Sequence, residues 1–330
     1  MPWSEAIQAA LYGHGGFYHR GEGPAGHFRT SVNATGVFAE AVLALLRRVD
    51  LALGRPGRID LVDVGSGRAE LLVEIGRRLG ALADEDLAGR LRMHGVDLAS
   101  RPRNLPPTVA WSSELPERVV GLVIGNEWLD NVPLDVVEAG PDGPRRLLVD
   151  VATGEESPGG PIGLRDAAWL SRWWPLDGAP LGWRAEVGFP RDVAWAGAVR
   201  SLDRGAAVAV DYAHRLADRA DGTYREGTLA GYRDGRRVRP VPDGSSDLTA
   251  HVALDACAAA GQGAGATGTA LLSQADAIRD LPIAEPVGAR ARLDHSSQLA
   301  ELVDPDGLGG FTWLVQSVRL GGSALLTATH

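Results

Sequence analysis

An α/β protein with a mostly parallel sheet covered by helices on both faces is the fold class this sequence predicts. Three observations carry it: short β-branched runs, apolar residues at helical spacing between them, and a glycine turn joining the first run to the first helical stretch. Ile59-Asp60-Leu61-Val62-Asp63-Val64 is the first strand, and Glu70 to Leu82 is the helix after its glycines. Further strands are expected at Met93–Asp97, Val109–Trp111, Val119–Gly125 and Ala206–Tyr212.

Between about Pro141 and Pro190 the rhythm breaks into Gly, Pro and tryptophan, and we read an insertion there. Its front edge, Leu134–Glu138 and Arg145–Val151 across Pro141-Asp142-Gly143, alternates as a hairpin does. The tryptophans at 169, 173, 174, 183 and 195 read as core or lid packing. A polar, Gly- and Arg-rich loop is expected from Ala217, a helix at Leu248–Ala260, and a terminal hairpin of Phe311–Leu320 with Ser323–Thr329. The whole reads as one domain of 330 residues: a cap at about 1–34, a core at about 35–215 holding the insertion, and a substrate-side segment at about 216–330.

Composition narrows the function. A net charge of -9 disfavours nucleic acid and anionic membranes, whose phosphates are held by many basic contacts, and favours a protein or small-molecule partner. No run of eighteen apolar residues occurs, and the N-terminus lacks a basic-then-apolar order, so a cytoplasmic location is expected. The single Cys257 allows neither an internal disulfide nor a thiolate metal site, and no metal is expected. All 33 basic residues are Arg, a compositional bias that strips individual arginines of meaning.

The turn Asp63-Val64-Gly65-Ser66-Gly67-Arg68-Ala69-Glu70 sits between strand and helix, where a backbone without side chains approaches a nucleoside cofactor closely. It also suits a plain strand-to-helix connection. A dinucleotide fingerprint wants a third glycine at position 70, which is Glu, and Asp63 and Glu70 both repel a pyrophosphate. S-adenosylmethionine carries a sulfonium and an ammonium and no phosphate, so acids favour it. Asp97, followed by Leu98, ends the second strand, where a carboxylate accepts ribose hydroxyls of either cofactor.

The fourth strand ends in Gly125-Asn126-Glu127-Trp128-Leu129-Asp130-Asn131-Val132-Pro133, which resembles the Asn-Glu-x-x-Asp-x-x-Pro signature of the MidA family of methyltransferases. Asp211-Tyr212-Ala213-His214, Gly227 to Tyr232 and Asp247-Leu248-Thr249-Ala250-His251-Val252 are similar to three further family blocks in the same order. Gly26-His27-Phe28-Arg29-Thr30-Ser31 resembles the family's front segment. The resemblance implies a class I (Rossmann-like) methyltransferase fold using S-adenosyl-L-methionine, with mitochondrial relatives regarded as protein-arginine methyltransferases of complex I assembly.

It also assigns residues. Gly26, Phe28, Thr30, Asp63, Gly65, Ser66, Gly67, Asp97, Leu98 and Asn126 would hold the cofactor. Glu127, Asp130, His214 and His251 are catalytic candidates, the acids to orient a cationic acceptor and the histidines to take a proton near neutral pH. Asp211 and Tyr212 would line the acceptor pocket. The structural reading of Glu127 and Asp130 is as caps of the next helix, and Asp247-Leu248-Thr249 has the look of a helix N-cap. His27, Val32, Asn33, Ser66 and Ala69 depart from the family pattern. The departures at 27, 32 and 33 motivate the alternative of a non-catalytic assembly factor that keeps the fold, and a dehydrogenase is the third reading.

Overall fold

The computed structural model describes residues 1–19, 36–81, 84–284, 286, 288–320 and 325–326. The chain divides into two compact units. One gathers the described residues of 1–29 with 129–195 and 213–260; the other gathers those of 30–128, 196–212 and 261–330. The expected segment 216–330 is thus shared between the units.

The second unit carries a seven-stranded sheet. Across it, Gly268–Ser273 pairs with Thr312–Val318, then follow Leu202–Asp211, Val119–Asn126, Ile59–Val64, Leu91–Val96 and Val109–Ser112. The last five are parallel to one another, and Thr312–Val318 is antiparallel to both its neighbours. Every residue of Ile59–Val64 is buried, as befits a central strand covered on both faces. Helices Gly36–Ala52 and Glu70–Ala81 bury Phe38, Leu45, Leu72 and Ile75 in the same apolar core as Leu61, Leu122 and Trp313. The strand order reverses on either side of Ile59–Val64, and ligands of such sheets bind outside the carboxyl ends of the strands at that point.

The first unit holds two antiparallel sheets. Val136–Gly140 and Gly143–Val149 form the expected hairpin, which Glu156–Pro161 and Arg184–Glu186 widen to four strands. Three expectations are corrected here. The stretch after Ala217 is not a loop: it holds a short helix, Leu216–Ala220, and the strands Ala230–Arg233 and Arg236–Val238. Asp234 and Gly235 both have positive φ, the geometry of a tight two-residue hairpin turn for which Asp-Gly is suited. Asp247–Thr249 is a strand pairing with Ala230–Tyr232, so the helix begins only at Leu254 and Asp247 is no N-cap. In the second unit, the hairpin partner of Thr312–Val318 is Gly268–Ser273; most of the expected partner Ser323–Thr329 lies outside the described residues.

Candidate functional site

Register levels the strand ends of the second unit. Val64 stands opposite Val96 and Gly125, and Asn126 opposite Val210, so Gly65, Asp97, Asn126 and Asp211 all occur at one carboxyl edge. The glycine turn is held open by backbone conformation: Gly65 (φ 70°), Gly67 (φ 57°) and Ala69 (φ 65°) are all left-handed. At Ala69 a side chain occupies a left-handed conformation that glycine adopts without cost.

The turn spends its own amides. Gly65 and Ser66 N–H both donate to Val96 O (2.9 and 3.2 Å), and Ala69 N–H donates to Ser66 O (2.7 Å). Gly67 N–H donates to Asp97 Oδ2 (2.8 Å) and Arg68 N–H to Glu70 Oε2 (3.0 Å). All five amides from 65 to 69 therefore have acceptors within the protein, and none is left to cradle a phosphate. This weighs against the dinucleotide reading.

The turn is also acidic. Asp63 is buried, accepts from Ser66 Oγ–H (2.6 Å), and has its pKa pushed up to about 7. Burial is the main cause; the Ser66 hydrogen bond opposes it, while Glu70 and Asp97 add to it. Glu70 and Asp97 thus disfavour charge on Asp63, and a positively charged ligand beside the three acids would relieve that repulsion. Asp97 also accepts from Ala99 N–H (2.8 Å), which fixes its carboxylate at the end of the second parallel strand. Leu98 beside it is 62% exposed, an apolar surface next to the carboxylate.

Glu127 leaves the fourth strand in a left-handed conformation (φ 50°) rare for a residue with a side chain. Its N–H donates to Val210 O (2.8 Å), and its carboxylate accepts from Asn126 Nδ2 (3.1 Å). The capping alternative for Glu127 and Asp130 does not hold, because only a three-residue 3-10 turn, Leu129–Asn131, follows. Trp128, which no sequence expectation named, packs against the glycine turn. A Cβ at Gly65 would stand 3.1 Å from its ring, and one at Gly125 only 2.7 Å, so both glycines make room for this indole. Asp211 is fully buried, while Tyr212 is 44% exposed and packs on Phe311 with ring centroids 4.1 Å apart.

The remaining candidates fall in the first unit. Asp130 is buried, and its backbone oxygen accepts from Arg191, which also donates to the carbonyls of Val132, Ala250 and His251. Arg191 thereby staples two of the motif blocks together. Its neighbour Asn131 donates to Asp247, and Tyr18 donates to both. Burial and the Asp130 charge push Asp247 up to about 8.

His214 and His251 have rings 6.3 Å apart. Burial, then Arg219 and His251, drive the His214 pKa down to about 2; burial, then Arg191 and Arg237, drive that of His251 to about 4. The expectation of proton acceptors near neutral pH is corrected for both, since a base so depressed stays deprotonated there and drives proton uptake poorly. Gly26, Phe28 and Thr30, with the departures at His27, Val32 and Asn33, lie outside the described residues. Among those described, no His, Cys, Asp or Glu cluster could hold a metal, and no helix is long and apolar enough to cross a membrane.

Comparison with known proteins agrees with this geometry. Residues 43–270 match the model of a family described as "Putative S-adenosyl-L-methionine-dependent methyltransferase". A crystal structure from Burkholderia thailandensis with S-adenosyl-homocysteine bound is similar over 98% of this chain and 89% of that one, with TM-score 0.81 and 25% identity. A native crystal structure of an uncharacterised protein from the same organism gives TM-score 0.78 and 26% identity over the same shares. No curated protein matches by sequence. The sheet is therefore that of a class I methyltransferase, as the resemblance implies.

Proposed function

The chain belongs to this family of S-adenosyl-L-methionine-dependent methyltransferases, and from that premise we propose that it methylates a nitrogen or oxygen nucleophile on a protein or small molecule. The observation that carries the reading is the acidic glycine turn whose amides are all spent, a poor phosphate cradle and a good seat for a cationic nucleoside. S-adenosylmethionine, when bound, supplies a methyl group already activated by its sulfonium.

The chain's own residues then bind and align. We assign Asp63, Gly65, Ser66 and Gly67 to the donor's charged end, and Asp97 with Leu98 to its nucleoside. Asn126 fixes the Glu127 carboxylate at the strand end, and Glu127 orients the acceptor, with Asp211 and Tyr212 beside it in sequence order on the next strand. In the finer reading the chain is MidA-like and the acceptor is a protein arginine, whose guanidinium a carboxylate holds through charge-assisted hydrogen bonds.

The test is transfer of labelled methyl from S-adenosylmethionine to acceptors in a cell extract. Wild-type protein is expected to label at least one acceptor. Glu127→Gln should lower that labelling at least 100-fold while changing donor affinity less than threefold. Equal loss of both would reassign Glu127 to the donor, and no donor binding by the wild type would end the methyltransferase reading.

A further inference from the structure

In the first unit, Arg219 is wholly buried and uses all five of its N–H groups. Its Nε donates to Trp173 O (2.6 Å), Nη1 to His214 O (3.0 Å) and to His214 Nδ1 (2.8 Å), and Nη2 to both oxygens of Asp255 (2.9 and 2.8 Å). Arginine cannot accept a hydrogen bond, so His214 Nδ1 must be the acceptor. The ring proton is therefore on Nε2. His214 is only 3% exposed, and its Nε2 is buried with no hydrogen-bond partner. A buried donor left without an acceptor is costly, and a phenyl ring at this position would avoid that cost.

The surroundings say what would complete it. Trp174 meets the His214 ring edge-on at 4.8 Å, Tyr224 lies at 5.0 Å and His251 at 6.3 Å, so the donor is set among flat rings. The charges that lower the two imidazoles are Arg219, His251 and Arg191 for His214, and Arg191 and Arg237 for His251; Arg219 is itself paired with Asp255, which leaves the positive bias to Arg191 and Arg237. A hydrogen-bond donor in positive potential between flat rings suits a planar anionic oxygen and opposes a cation.

We propose that His214 is a fixed, neutral Nε2–H donor of a carboxylate-binding site in the first unit, and that Arg219 and Asp255 are its positioning residues, holding the tautomer. The site does not take a guanidinium. This goes beyond the methyl-transfer reading and does not rest on it, because the test needs no methyl donor.

The test is long-range 1H–15N NMR on the full-length protein labelled with 15N-histidine, His214 being assigned by its loss in His214→Phe. The expected spectrum shows the Nε2–H tautomer unchanged from pH 5 to 8. Titration with acetate should move the His214 Nε2–H signal saturably, whereas guanidinium, planar and of the same heavy-atom count but opposite charge, should not at equal ionic strength and non-denaturing concentration. In His214→Phe, acetate binding read at the His251 ring should weaken at least tenfold. Arg219→Lys, if folded by circular dichroism, should release the tautomer to a mixture. An Nδ1–H tautomer, a titration of the ring within that pH range, or a flat acetate response in the unmodified protein would each overturn the proposal.

Discussion

The glycine turn of one unit and the His214 cluster of the other are built from opposite deficits. In the turn every amide is used and the surplus is negative: Asp63, Glu70 and Asp97 act on one another, and burial pushes Asp63 up to about 7. In the histidine cluster the guanidinium is used to its last N–H, two of them on Asp255, and one ring donor is left over beside imidazoles that Arg191 helps to keep uncharged. Ligand charge is thus legible from what a buried cluster leaves unbalanced, more than from the residue types that compose it. A turn with acids and no spare donor suits a sulfonium; a spare donor among arginines suits an anionic oxygen.

The comparison breaks most visibly at Gly65. In Gly65→Val a branched side chain must adopt a left-handed conformation and press on Trp128, so S-adenosylhomocysteine affinity by calorimetry should fall at least 100-fold. Unchanged affinity would remove the turn from the site. The next effect is on stability: Arg219→Met leaves Asp255 and His214 Nδ1 without their partner, and chemical denaturation should show a loss of about 3–5 kcal/mol. A loss below about 1 kcal/mol would mean the cluster is not held by this arginine.

The two clusters should also titrate with opposite sign. Asp63 is raised when folded, so its contribution is fully present below the unfolded carboxylate range and is lost as pH rises through about 7. His214 and His251 are lowered, so theirs is present above the unfolded imidazole pKa of about 6.5 and is lost as pH falls toward about 4 for His251 and about 2 for His214. In denaturant melts from pH 4 to 8, Asp63→Asn should reduce the decline of stability with rising pH, and His214→Phe should reduce the decline with falling pH. The same sign of change in both would contradict the assignment. Smallest is Ala69→Gly, which relieves a left-handed alanine and should stabilise the protein by about 1 kcal/mol.

Much of the second unit is legible because its signals are local. A buried β-branched run, two glycines and an amphipathic helix stand within some two dozen residues, and each reports on its neighbours. The first unit is less legible because its order is made at a distance. Asp247–Thr249 is short and becomes a strand only by pairing with Ala230–Tyr232, and Asp247 finds its partners at Tyr18 and Asn131. The hairpin at Asp234-Gly235 did carry a local signal, hidden by the polar residues around it. Arg191 and Arg219 had none: in a chain whose only basic residue is arginine, neither stands out until Asp130, Trp173 and Asp255 are brought to it. Trp128 is hard to read for the opposite reason: it stands among the acids of the Asn126 to Pro133 motif, and only the fold brings Gly65 and Gly125 to its ring.

The central claim, that the turn seats a cationic nucleoside and no phosphate, is met most directly by calorimetric titration of the wild-type protein with S-adenosylmethionine and, separately, with NADH at the same pH and salt. The account predicts a saturable isotherm for the first, weakened at least tenfold by Asp97→Ala, and no heat above dilution for the second. Saturable NADH binding, or none by S-adenosylmethionine, would contradict it.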